Sequence, residues 1–132
     1  MPVLLLAAAA WYYYRFDKNR QALELCNTCF GRLTKRDKIL KIFLEHLAGY
    51  IHYDLQEYDK AIQHFGTALP VEEQLLGSKE YNLLYAQYAL AQCYTYTEKF
   101  EEALQLLNKL LQNGFQSPQS SGTSNSLRNE TP

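Results

Sequence analysis

Proline is missing between Val3 and Leu69, and only six glycines occur in 132 residues. Long stretches of chain are therefore free of helix breakers. Cysteine is also scarce. Three residues, Cys26, Cys29 and Cys93, are too few for a disulfide scaffold and fit a reducing, cytoplasmic setting. Charge of one sign is lacking too: thirteen Lys and Arg against fourteen Asp and Glu leave a formal net charge of -1. No whole-chain field exists to gather nucleic acid or an anionic membrane, so neither is expected as a direct partner. The apolar opening from Pro2 to Tyr14 has no basic flank. Its thirteen residues fall short of the roughly 20 that a spanning helix needs, so it reads as a packed helix.

Chemistry-bearing motifs are equally sparse. There is no glycine-rich phosphate loop and no metal-ligand motif on a helix. Cys26 and Cys29 spell C-x-x-C, but inside an apolar-periodic helix and with no second Cys or His pair at ligand spacing, so both read as small packed residues. His46, His52 and His64 are spread over two helices without a nucleophile beside a base, and Glu72-Glu73 and Glu101-Glu102 read as solvated helix surface. No enzymatic activity, cofactor or metal is expected.

The chain has ample apolar content, 47% of residues, and that content is periodic. Leu40, Leu44, Leu47, Ala48, Ile51 and Leu55 step by three and four, lining one face of a helix. After a turn near Gln56 and Glu57 a second stripe follows, through Tyr58, Ala61, Ile62, Phe65 and Leu69. Two helices joined so tightly pack antiparallel. The arrangement returns as Leu83, Ala86, Leu90, Ala91 and Tyr94, then Phe100, Ala103, Leu104, Leu107 and Leu111. A weaker copy precedes it, Leu6, Ala9, Ala10 and Tyr13, then a turn near Asp17 to Asn19, then Ala22, Leu23, Cys26, Phe30 and Leu33. The alanine early in each second helix, at 22, 61 and 103, repeats at 39 and 42 residues, the period of a helical solenoid. The expected fold is all-α, about three antiparallel hairpins over 3-36, 38-76 and 80-115. From Gln116 to Pro132 the composition turns to Ser, Gln, Asn, Thr and Pro, and this tail is expected to be disordered.

The segment from Gly49 to Leu69 resembles a tetratricopeptide repeat: Gly49 and Ala61 stand where paired helices approach closely, Tyr58 at the turn, and Ala68 where the next hairpin docks. Leu90, Ala91, Tyr94, Phe100 and Ala103 repeat the pattern, with Leu110 at a normally small position. In the first copy Ala10, Tyr13 and Ala22 fit and Asn19 replaces the turn aromatic. The stretch Ala68 to Gly77 is similar to the long-period repeats of kinesin light chains, except for Pro70, which is expected to kink the helix or end it early.

The resemblance implies a right-handed solenoid whose first helices line a concave groove for a protein or peptide partner. Their outward faces here carry Trp11, Tyr14, His46, Tyr50, Tyr53, Tyr85, Tyr88 and Tyr96, with Gln92 among the polar contacts. Tyrosine gives apolar area, little entropy to lose and a directing hydroxyl; the same rings could instead fill the seams between hairpins. Tyr50 and Tyr88 lie off the apolar stripes and are the strongest groove candidates. The Lys and Asn clamp with which co-chaperones of this family hold acidic tails is replaced by Ala7, Trp11, His46, Tyr50, Tyr88 and Gln92. The expected function is a scaffold or adaptor; the alternatives are the peptide-sensing part of a bacterial transcriptional regulator, or a piece or short form of a larger repeat protein. Both ends lack a polar capping helix, from which self-association is expected.

Overall fold

The computed structural model of the protein describes residues 2–77 and 80–114. The tail expected from residue 116 onward lies outside the described residues. Six helices follow one another: α1 (Val3–Arg15), α2 (Asn19–Phe30), α3 (Lys38–Asp54), α4 (Tyr58–Leu76), α5 (Tyr81–Tyr96) and α6 (Phe100–Gln112). No strand occurs among the described residues. The helices pair as α1 with α2, α3 with α4 and α5 with α6, while α2 packs on α3 and α4 on α5 to join the pairs. The first helices, α1, α3 and α5, also touch in sequence and form one row. The fold is thus all-helical, a stack of hairpins.

The three hairpin turns are copies of one another down to single hydrogen bonds. Asp17, Gln56 and Glu98 each adopt a left-handed conformation, φ 60°, 62° and 63°. The amide of the next residue reaches back to close each helix: Lys18 N to Tyr13 O at 2.9 Å, Glu57 N to His52 O at 2.8 Å, Lys99 N to Tyr94 O at 2.7 Å. This is the Schellman closure, which satisfies carbonyls that the helix end would leave orphaned. Five residues beyond each left-handed position comes a buried alanine, Ala22, Ala61 or Ala103, so the 39- and 42-residue spacing of the alanines is also the spacing of the turns. The first hairpin, with Asn19 in place of an aromatic, is built by the same turn.

Small residues set the helix separation. A Cβ at Gly49 would lie 2.7 Å from the Phe65 ring, and Phe65 is fully buried against it. Two apolar clusters result. The first gathers Leu6, Ala10, Ala22, Cys26, Cys29, Leu44 and Ile51 across α1, α2 and α3; the second gathers Ala61, Phe65, Leu69, Leu83, Ala86 and Cys93 across α4 and α5. All three thiols are free and buried, and burial pushes Cys26 and Cys93 up to about 12. Their packing role leaves them un-ionised.

Of the two outcomes expected at Pro70, the early end is excluded, for the helix runs on to Leu76. Pro70 and Gly66, four residues earlier, both lie on the exposed face, so the carbonyl deprived of its amide partner faces water. Across the stack, Lys109 Nζ on α6 donates to both carboxylate oxygens of Glu73 on α4 at 3.1 and 3.2 Å. No described helix is long and apolar enough to cross a membrane.

Candidate functional site

Because α3 turns one face toward α1 and α5, the residues stepping along that face, Ile39, Phe43, His46 and Tyr50, meet side chains from both neighbours. They line a cavity of about 610 Å³, open to solvent, with Trp11, Tyr14 and Arg15 from α1, Tyr81, Asn82 and Tyr85 from α5, and Glu72 and Leu76 from the far end of α4. The walls are largely aromatic. Tyr50 stands edge-on to Phe65 at 5.2 Å and tilted toward Tyr85 at 5.8 Å. The Arg15 guanidinium sits over the Trp11 ring, 5.0 Å from its centroid. Burial raises the phenols of Tyr14 and Tyr50 above their ordinary range, helped at Tyr14 by Asp54 and at Tyr50 by Tyr85. Both stay neutral hydroxyls.

His46 and Glu72 are the buried polar residues of this lining. They are 8% and 3% exposed, and His46 Nε2 stands 2.9 Å from Glu72 Oε1. The approach is close but not aligned as a hydrogen bond, and neither atom has a hydrogen-bonding partner in the protein. Burial acts on both in the direction of the neutral form: it lowers the His46 imidazole and, with Glu80 adding to it, lifts the Glu72 carboxyl to about 7.

The residues singled out from sequence thus fall into two groups. Trp11, Tyr14, His46, Tyr50 and Tyr85 line one cavity. His46 corrects the expectation that it projects from the exposed face: it is buried beneath Tyr50. Tyr53, Tyr88, Gln92 and Tyr96 lie apart from that cavity, nearer the turns. There Tyr53 donates to Gln92 Oε1 at 2.9 Å, Gln92 donates to the Tyr88 hydroxyl at 3.1 Å, and Tyr58 and Tyr96 stack at 4.5 Å. These contacts join α3, α4 and α5, so the rings there pack the seam between the second and third hairpins.

Glu72 is a second correction. Read with Glu73 as solvated surface, it is instead almost wholly buried. Ala61, Phe65, Ala68, Leu69 and Glu72 form one stripe at helical spacing, and extending the apolar stripe by one turn would have found it. The histidines also come together: His52 and His64 stack with ring centroids 5.2 Å apart, and Phe30 stacks on His64. Glu57 holds the first at 2.9 Å and Glu45 the second at 2.8 Å. Among the described residues no group of three or more His, Cys, Asp or Glu is placed to hold a metal ion.

Comparison with known proteins gives one result. A family model described as tetratricopeptide repeat matches residues 42–113, which is more than half of the chain and spans nearly all of α3 to α6. No curated protein matches the chain.

Proposed function

We propose, from the premise that this chain belongs to the tetratricopeptide repeat family, whose members mediate protein–protein interaction, that it is a scaffold holding an extended peptide or partner helix in the cavity between α1, α3 and α5. The observation that carries this reading is the cavity itself, with aromatic walls supplied by three successive first helices. Large, stiff rings with little entropy to lose favour peptide contact. Catalysis has no part in the reading, because the cavity offers no nucleophile beside a base. The 19-residue α4, against 12 and 13 residues in α2 and α6, supports the long-period, kinesin-light-chain-like variety of repeat.

Affinity capture from lysate tests the site. Trp11→Ala with Phe43→Ala removes two exposed wall residues without opening the core, and Tyr12→Ala on the outer face of α1 is the control. The double variant is expected to lose partners that the native chain and the control retain. Equal capture by all three would move the interface off this cavity.

The outer faces of the end helices suggest a second contact. Leu4 and Leu5 on α1, Phe16 just after it, and Leu104 and Leu111 on α6 are exposed, and apolar rows of this kind support self-association of the stack.

A further inference from the structure

Both seams between hairpins are built from the same register positions. Counted from the buried alanine early in each second helix, the residues one, four and eight further on are Leu23, Cys26 and Phe30 in α2, and Ile62, Phe65 and Leu69 in α4. All six are buried or half-buried, in the two apolar clusters. The receiving positions repeat as well. Twelve, eight and five residues ahead of the left-handed turn residue stand Leu44, Ala48 and Ile51 in α3, and Ala86, Leu90 and Cys93 in α5, every one of them buried.

In the two outer helices the same positions are apolar and open. In α6 they hold Leu104, Leu107 and Leu111, of which Leu104 is 60% and Leu111 71% exposed. In α1 they hold Leu5, Ala9 and Tyr12, of which Leu5 is 54% and Tyr12 61% exposed. Beside Ala9 and Tyr12 an open cleft of about 320 Å³ is completed by Tyr13, Phe16 and Lys18. The docking face of one seam and the receiving face of another thus stand uncovered on the described residues of a single chain.

Charge follows the same register. Across the seam of α2 with α3, Arg20, two residues before its alanine, approaches Glu57, the residue after the left-handed one, at 4.0 Å. The next seam carries Asp59 and Lys99 at those positions, and the outer faces carry Glu101 on α6 and Lys18 after α1. Each pairing is opposite in sign. Exposed pairs of this kind add little energy but favour one alignment over others.

We propose that the α6 face is covered by the α1 face of a second copy of this chain, stacked head to tail so that α6 meets α1 as α4 meets α5. Leu104, Leu107 and Leu111 pack on Leu5, Ala9 and Tyr12, and Glu101 comes opposite Lys18. This rests on the self-association proposed above and gives it a direction. The two surfaces differ, so every contact leaves one of each open at the ends, and the assembly grows without closing. The row of first helices runs on through it, from α5 to the α1 of the next copy.

Sedimentation velocity on the full chain tests the direction, using Leu5→Glu and Leu104→Glu singly and mixed. One helix face on another is a small interface, so the series extends to about 1 mM. The native chain is expected to climb past the mass of two copies. Either variant alone has one face spoiled by a charge and is expected to associate about tenfold or more weaker than the native chain. An equimolar mixture is expected to form a species of two copies and stop there, because the sound α6 of Leu5→Glu meets the sound α1 of Leu104→Glu. A native mass that stops at two copies, a single variant that associates like the native chain, or a mixture no better than its parts overturns the head-to-tail stack and leaves self-association standing. A native chain that stays monomeric overturns both, and gives the faces to residues 115–132 or to another protein. Should either variant lose its helical circular dichroism, Tyr12→Glu and Leu111→Glu repeat the experiment on the same two faces.

Discussion

At the scale of single residues, two glycines separate packing from propensity. Gly49 faces Phe65 so closely that an added Cβ must displace the ring, whereas a Cβ at Gly66 meets nothing within 4 Å. Both sit inside helices, where alanine is intrinsically better than glycine by about 1 kcal/mol. Gly66→Ala is therefore expected to stabilise the protein by about 0.5–1 kcal/mol, and Gly49→Ala to destabilise it by about 1–2 kcal/mol despite the same gain. Urea unfolding of the two variants beside the native chain checks the pair. Titration gives a second contrast. Glu72 moves from 4.5 to about 7 on folding, so its favourable linkage is complete below pH 4.5 and is lost as pH rises through about 7. His52 runs the other way: burial lowers its imidazole in spite of Glu57, so its linkage is complete above pH 6.5 and is lost as pH falls below that value. Glu72→Gln should then gain on the native protein between about pH 5 and pH 8, by at most on the order of 3 kcal/mol. Urea midpoints across that range measure it, and parallel curves would mean that the Glu72 carboxyl ionises as freely when folded as when unfolded.

At the scale of elements, the hairpin turns carry a correctable strain. Gln56 and Glu98 hold left-handed backbone with side chains that disfavour it, and Asp17 does so with a residue more tolerant of that region. Gln56→Gly and Glu98→Gly are each expected to stabilise by about 0.5–1 kcal/mol, and because Tyr58 and Tyr96 stack between the two turns the double variant measures whether they couple. Asp17→Gly should gain less. Thermal melts of the single and double variants test this, and a loss in either single variant would show that the side chain, rather than the backbone, matters at that turn. The helices themselves were legible from apolar spacing. The course of α4 past Pro70 was not, because a proline removes a helical hydrogen bond, and its tolerance here goes with Gly66 and Pro70 both facing water.

At the scale of the whole molecule, stacking leaves the outward faces of α1 and α6 without a further hairpin among the described residues. Leu5 and Leu104 are each more than half exposed there. Light scattering over a concentration series is expected to show a mass that rises with concentration, and Leu5→Glu with Leu104→Glu to hold the chain monomeric. A native chain that stays monomeric throughout would show these faces to be soluble as they are. The cavity belongs to this scale as well: its walls come from four helices separated by as many as 74 positions, Trp11 to Tyr85.

Sequence alone determined the class of fold, the pairing of neighbouring helices and the repeat spacing, because a helix face and a tight turn are local and each is written in a window of a few residues. It also placed Trp11, Tyr14, Tyr50 and Tyr85 on one surface, through the shared role of the first helices. What it could not determine was burial across elements. Which face of α4 meets α3 deeply enough to take Glu72 out of water, and which tyrosines close a seam rather than line a cavity, depends on how far and at what angle hairpins stack. That is settled by the summed packing of residues far apart in the chain, such as Gly49 against Phe65 and Tyr53 against Gln92, so only the tertiary structure decided it.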